Sequence, residues 1–187
     1  MSKQKETHLS HQKETHVIRT VRIPASMDKA LRKIAFDGNT SVNALVEASL
    51  TKFIEFDQYA EELEYATVRK AFLIKGLEYF DEGEIRDFGK WAAMESTSEL
   101  LQFFGVGSNL DSIFHIFETV ISKYGRLFTF HHESDGKTHR ILLNHRLGKN
   151  WSIFFDANLK TLFARLGIDL QTEVSTNFVR AHFVEKP

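Results

Sequence analysis

Apolar and polar positions alternate from Val17 to Ile23 (VIRTVRI), which predicts a β-strand. Pro24 ends this strand, because proline has no N–H group to donate to a β-ladder. Two amphipathic helices follow, with predicted N-caps at Ser26 and Ser41 and with Gly38 ending the first helix in the left-handed conformation. One strand and two helices bury too little apolar surface to fold alone, so the segment predicts an intertwined dimer.

The order of strand, proline, helix, glycine turn, serine cap and helix resembles the ribbon-helix-helix DNA-binding family, the CopG, Arc and MetJ type, over residues 17–56. The resemblance implies that two strands, one from each chain, pair as an antiparallel ribbon in the major groove of double-stranded DNA. It implies that the bases are read by the outward side chains, which are Ile18, Thr20 and Arg22. Arg22 suits a guanine, Thr20 suits several bases, and Ile18 suits only a thymine methyl group.

The resemblance also implies phosphate binding at the start of the second helix, through the backbone amides of Ser41, Val42 and Asn43. The strand departs from the family pattern at two positions. Arg19 occupies an inward position that is usually apolar, and Ile18 occupies an outward position that is usually polar. Either the ribbon frays before Thr20 and Arg19 binds phosphate, or base reading rests mainly on Thr20 and Arg22.

Charge is distributed unevenly along the chain. The formal net charge is -1, yet residues 1–36 contain eight Lys or Arg and only three Asp or Glu. A basic beginning on an acidic remainder is the asymmetry expected if one end of the protein faces DNA phosphates. Residues 1–16 contain a tandem repeat of the sequence QKETH and lack apolar residues for folding, so they are predicted to be a flexible polar arm.

Residues 57–187 are predicted to form a second domain, joined to the first by a helical linker. Hydrophobic residues make up 42% of the chain, which includes 17 Phe, so this domain has material for a core. Helical spacing dominates as far as Gly125, and strand, strand, helix and strand follow, the last strand from about Glu173 to Val184. The predicted fold class is therefore α+β, a ribbon-helix-helix module followed by helices and an antiparallel sheet covered on one side.

The predicted strands Arg126–Glu133 and Thr138–His145 are joined around Asp135-Gly136, a strong hairpin signal. A two-residue loop there puts His132 opposite His139, with Phe128, Phe130, Ile141 and Leu143 on the same face. One interpretation is a divalent metal site with a conjectural third ligand, since imidazoles bind such ions. The favoured interpretation is a histidine pair on the surface without a metal.

The segment from Asn144 to Ser152 is the densest polar and aromatic cluster of the chain. One interpretation is an anion site that uses Lys149, Asn150 and the backbone amides of a helix N-terminus. The favoured interpretation is structural: Gly148 makes the turn, Asn150 caps the helix and Trp151 packs inward.

Several function classes lack support in the sequence. The absence of cysteine excludes disulfides, thiolate zinc sites and cysteine nucleophiles. No apolar run approaches the roughly 18 residues of a membrane span, and the polar start does not resemble a signal peptide, so a cytoplasmic protein is expected. None of the common nucleophile, nucleotide-binding or metalloprotease motifs is present, so no enzyme activity is predicted.

The sequence therefore predicts a sequence-specific DNA-binding transcriptional regulator that acts as a homodimer, with tetramers left open. Its second domain is expected to sense a small-molecule effector or to build oligomers. Two alternatives stay open. One is a dimeric protein–protein interaction module, antitoxin-like or scaffolding, without DNA readout. The other is a metal-responsive regulator that uses His132 and His139; otherwise no cofactor is predicted.

Overall fold

The computed structural model describes residues 17–185. The chain divides into two compact units between Ser49 and Leu50. This division falls inside a helix, Val42–Lys52, a few residues before the predicted end of the N-terminal module at Phe56. The predicted arm, residues 1–16, lies outside the described residues.

The described part of the N-terminal unit contains the helices α1 (Ala25–Asp37) and α2 (Val42–Lys52), whose last three residues belong to the second unit. Residues 17–24 form neither helix nor strand in the single chain. The predicted strand is thus not formed within one chain. The physical reason is that a strand is held by a ladder to a neighbouring strand, and no described strand of the same chain pairs with this segment.

Both ends of α1 differ from the predicted caps. Helix α1 begins after Pro24, whose carbonyl accepts hydrogen bonds from the third and fourth residues that follow, and Ser26 lies inside the first turn. At the other end Gly38 has φ -90°, and Asn39 instead takes the left-handed conformation with φ 49°. Thr40 N–H donates to Ala35 O at 2.9 Å, which completes a Schellman motif around Asn39.

The second unit begins with helices. π-Helical residues Phe53–Asp57 and the short α3 (Gln58–Ala60) continue α2, so the chain remains helical where a helical linker was predicted. π-Helical residues Ala92–Ser96 join two of the later helices, and Ile116–Tyr124 extend another. The remaining helices are α4 (Lys70–Leu77), α5 (Glu82–Trp91), α6 (Thr97–Phe103), α7 (Leu110–His115) and α8 (Lys149–Arg165).

A four-stranded antiparallel sheet follows, so the second unit is α+β as predicted. Its strands have the spatial order β1-β2-β4-β3. Every pairing is antiparallel. The strands are β1 (Thr129–Ser134), β2 (Thr138–Asn144), β3 (Gln171–Val174) and β4 (Phe178–Val184).

Two predictions about these strands were wrong in detail. The expected single strand from Glu173 to Val184 is a hairpin, in which Ser175 N–H donates to Phe178 O at 2.9 Å and residues 175–177 make the turn. The expected strand from Arg126 begins only at Thr129, because Arg126 has φ 55° and cannot continue an extended backbone.

The register of the first hairpin differs from the predicted one by two residues. Ser134, not His132, lies opposite His139, and His132 lies opposite Ile141. The loop is longer than predicted because the Asp135 carboxylate accepts hydrogen bonds from the N–H groups of Lys137 and Thr138 at 3.3 and 2.9 Å. These bonds keep both residues close to Asp135, so they do not pair with β1. A shift of two residues keeps every side chain on its predicted face.

Helix α8 lies at the centre of the core of the second unit. All its residues from Trp151 to Leu159 are buried. On one side Phe163 packs against Phe183 of β4, with ring centroids 5.3 Å apart. On another side α5 approaches so closely that a Cβ on Gly89 would lie 2.5 Å from Phe154 O, and only glycine leaves room for this contact.

Candidate functional site

The predicted ribbon segment is open to solvent along its length. Ile18 is 91% exposed, and Thr20 and Arg22 are exposed as well. Among the described residues, none makes a backbone hydrogen bond to residues 17–23, and the Arg19 guanidinium contacts only Ile18 O at 3.4 Å. The backbone donors and acceptors of this segment are therefore available to a second chain.

The N-terminal unit has almost no core of its own. Among residues 17–49 only Ala35 is buried. Ile34 is 55% exposed and Phe36 is 86% exposed, and Val21 and Met27 are exposed too. These apolar side chains thus form a surface that no other described residue covers.

The start of α2 has the arrangement that the sequence predicted. Ser41 Oγ accepts a hydrogen bond from Ala44 N–H at 3.0 Å, which confirms Ser41 as the N-cap. The amides of Val42 and Asn43 have no acceptor among the described residues, so they remain free to donate. A helix N-terminus with free amides attracts anions through its dipole and its N–H groups.

Most cations of the N-terminal unit are unpaired within the described residues. Arg32 forms an ion pair with Asp28 at 2.7 Å, whereas Arg19, Arg22, Lys29 and Lys33 form none. Unpaired cations keep their charge available to an external anion such as a phosphate.

His132 and His139 are neighbours, as predicted, although they are diagonal rather than opposite. His132 Nε2 lies 2.9 Å from His139 Nδ1, and the two rings are stacked. Phe114 packs on His132 with centroids 4.2 Å apart, and Phe183 packs on His139 at 4.6 Å. Burial, and next the nearby His139, lower the pKa of His132, so the His132 ring is disposed to stay neutral.

This histidine pair lacks the further ligands of a metal centre. His139 directs Nδ1 to His132 and Nε2 toward Glu185, whose carboxylate is 3.5 Å away, so its two nitrogens point to different partners. In the part of the chain that the structure describes, no three His, Asp or Glu side chains are grouped so that they could hold a metal ion. The aromatic contacts on both rings indicate a packing role.

Another histidine, His145, belongs to a hydrogen-bond network that the sequence did not predict. Leu147 N–H donates to His145 Nδ1 at 3.2 Å, so the ring proton is assigned to Nε2, which donates to Ser152 Oγ at 3.0 Å. The Ser152 hydroxyl donates in turn to Thr176 O at 3.1 Å. Burial, with the charge of Lys70, lowers the pKa of His145 to about 4.

The direction of these hydrogen bonds decides what the pair can do. A serine nucleophile needs a histidine that accepts its proton. Here the Ser152 proton points to a backbone carbonyl, and both side chains are buried. The pair therefore ties β2, α8 and the turn before β4 together. The two residues are seven positions apart, across a strand end and a helix start, and no local pattern marks such a pair.

The cluster around Asn150 also has a structural role. Gly148, with φ 87°, is the N-cap residue of α8, so the prediction that Asn150 caps this helix was wrong. Asn150 Nδ2 instead donates to Leu77 O at 2.9 Å, because its position inside the first turn aims it at α4. Trp151 is buried, as predicted, and its indole N–H donates to Leu73 O at 3.0 Å.

Comparison with known protein families, with curated proteins and with solved structures finds no match for this chain. Among the described residues, no helix combines the length and the apolar character that a bilayer crossing needs.

Proposed function

We propose that the chain is a sequence-specific DNA-binding transcriptional regulator that acts as a homodimer. In this proposal residues 17–23 of two copies pair as an antiparallel ribbon, and the exposed apolar side chains of α1 and α2 interlock between the copies. The observation that carries the proposal is the N-terminal unit itself, in which residues 17–49 bury only Ala35 and residues 17–23 keep unpaired backbone groups.

The roles of individual residues follow from the ribbon. Alternation directs Ile18, Thr20 and Arg22 to the same side, where Arg22 reads a guanine and Thr20 a neighbouring base. The free amides of Val42 and Asn43, next to the Ser41 cap, bind a phosphate and fix the register of the ribbon. Arg19 alternates to the other side of the strand, so it adds a phosphate contact where the ribbon frays before Thr20.

The second unit has a different task in this proposal. A large aromatic core lies within this unit of one chain, which suits a domain that senses an effector or joins dimers into larger oligomers. In a dimer it would set the distance between two ribbons, and a ligand would change how they match two half-sites on DNA.

The test is selection of bound duplexes from random DNA by the full-length protein, followed by affinity measurements with variants. Arg22→Ala should weaken binding to the selected duplex by about ten- to a hundredfold and relax the preference at one position, since a bidentate base contact is worth about 1–3 kcal/mol. Arg19→Ala should weaken binding to all sequences alike. It should also reduce the slope of log affinity against log salt concentration by about one.

Sedimentation separates this proposal from its alternative. The Arg22→Ala variant should remain dimeric, because Arg22 lies on the outward side of the ribbon. An exposed apolar face serves dimerisation equally well without DNA, as in an antitoxin-like or scaffolding protein. Dimers that select no duplex, and that are unaffected by Arg22→Ala, would favour this second function and refute the regulator.

A further inference from the structure

A polar cavity of about 460 Å³ opens in the second unit, between the end of the helix Leu110–Tyr124 and the ends of β1 and β2. Three cationic side chains line it, those of Lys70, Arg126 and Arg146. Of the described residues that line the cavity, none is Asp or Glu. The residues come from three separate parts of the sequence, so the fold rather than a local motif assembles the positive charge.

Arg126 is held in the cavity wall by an unusual backbone. Its φ of 55° lies in the left-handed region, which is costly for a residue with a Cβ atom. Its N–H donates to Ser122 O at 3.1 Å, which fixes the turn after the helix. The chain thus keeps a cation at a position where glycine would relieve strain.

Arg146 and Lys70 are directed to the same space. The residue before Arg146 donates its N–H to Asn177 O at 2.8 Å, and the residue after it donates to His145 Nδ1, so the backbone of Arg146 is fixed on both sides. Lys70 lies close enough to His145 for its charge to contribute to the low pKa of that ring. The three cations therefore surround one volume.

None of the three cations has an ion-pair partner within residues 17–185. Other cations of the same unit do, for example Lys75 with Glu78 at 2.6 Å and Arg180 with Glu173 at 2.7 Å. Three like charges around one cavity repel each other, and an anion in the cavity would offset that repulsion. Ser122 Oγ accepts from Phe130 N–H, so its own proton remains free to donate to such an anion.

We propose that this cavity binds a small organic phosphate ester. The volume falls within the range of small-molecule sites and exceeds what inorganic phosphate alone would fill. Two arginines offer fork-shaped donors that match phosphate oxygens, and a dianionic phosphate balances most of the three positive charges. All lining residues belong to the second unit, so the site does not depend on the proposed binding of DNA by the first.

The experiment is titration calorimetry of the full-length protein with adenosine 5′-monophosphate and glucose 6-phosphate, each compared with its uncharged parent, adenosine or glucose. At least one ester should bind once per chain, and its parent should not. Arg146→Ala and Arg126→Gly should each weaken that binding about tenfold or more, since a charge-assisted hydrogen bond is worth about 1.5–3 kcal/mol. Arg126→Gly retains the left-handed turn, so its loss of binding cannot be attributed to misfolding.

Lys75→Ala is the matched control, because Lys75 lies on the same helix as Lys70 but pairs with Glu78 outside the cavity. It should bind the ester like the unchanged protein. Failure of both esters to bind below about 1 mM would overturn the proposal. So would binding that Arg146→Ala and Arg126→Gly leave unchanged. A loss of affinity for duplex DNA in these two variants, without ester binding, would assign the cavity to nucleic acid instead.

Discussion

The two units of this chain differ in how much of their apolar surface is buried within one chain. The second unit has a large buried core, in which Phe163 is 0% and Phe183 2% exposed, although some of its helical aromatic residues, such as Phe72 and Tyr79, remain exposed. The described part of the N-terminal unit has apolar residues at helical spacing as well, yet it buries only Ala35. The difference teaches that similar amphipathic patterns lead to a buried core within one chain in one region and to an almost uncovered apolar surface in the other.

The largest expected effect comes from the core of the second unit. Phe163→Ala should lower its free energy of unfolding by about 3–5 kcal/mol, because the cavity left between Phe114 and Phe183 cannot close fully. Urea unfolding followed by tryptophan fluorescence measures this unit alone, since Trp91 and Trp151 both belong to it.

Ile34→Ala is the contrasting variant in the N-terminal unit. It should leave the fluorescence transition of the second unit where it is. An equal loss in both variants would mean that the two units unfold as one, and the comparison between them would fail.

A smaller effect is expected from pH. Because the pKa of His145 falls from 6.5 to about 4 on folding, the unfolded chain binds a proton near pH 5 that the folded chain does not. The stability contribution is complete above about pH 6.5 and is lost as the pH falls toward 4, by up to about 1.4 kcal/mol per pH unit and about 3 kcal/mol in total, of which about 2 kcal/mol falls between pH 7 and 5. Urea unfolding at pH 7, 6 and 5 measures it.

His145→Gln identifies the source of this pH dependence. The variant should be less stable at pH 7, since Leu147 N–H loses its Nδ1 acceptor, but its stability should change less between pH 7 and 5. The same slope in both proteins would show that another group, such as His132, is responsible.

The smallest effect concerns the first turn of α2. Ser41→Ala removes the acceptor of Ala44 N–H and should cost about 1 kcal/mol, seen as faster amide exchange in residues 42–49 with no change in tryptophan fluorescence. Ser49→Ala is the matched control. The Ser49 hydroxyl only donates back to Leu45 O within the helix, so its loss should not speed exchange. Equal exchange in both variants would contradict the capping role.

Periodicity predicted those features that depend on near neighbours. The faces of the first hairpin were correct because side chains alternate whatever the loop length, which is why His132 and His139 meet despite the shifted register. The Ser41 cap was correct, whereas the same signal failed at Ser26, because α1 already begins after Pro24. The inward packing of Trp151 was also predicted correctly, because Trp151 lies among the apolar residues of α8.

Competition between adjacent residues and contacts between distant ones could not be predicted. Gly38 and Asn39 both tolerate a positive φ. Which of them takes the left-handed conformation depends on where α1 ends, and α1 extends to Asp37. The cavity that contains Lys70 and Arg146 joins residues 76 positions apart, and no pattern in either segment indicates the other. Residues 175–177 have the turn-prone sequence Ser-Thr-Asn, but the apolar residues on both sides led to the prediction of one continuous strand.

The strand order of the sheet has a consequence for how copies of the protein meet. Strands β1 and β3 lie at its two edges, and β3 is only four residues long. Exposed Glu133 on one edge and Glu173 on the other put charge where a further strand would have to dock. Charged and short edges resist sheet extension and the aggregation that follows from it. Copies of this chain are therefore not expected to join through the edges of this sheet.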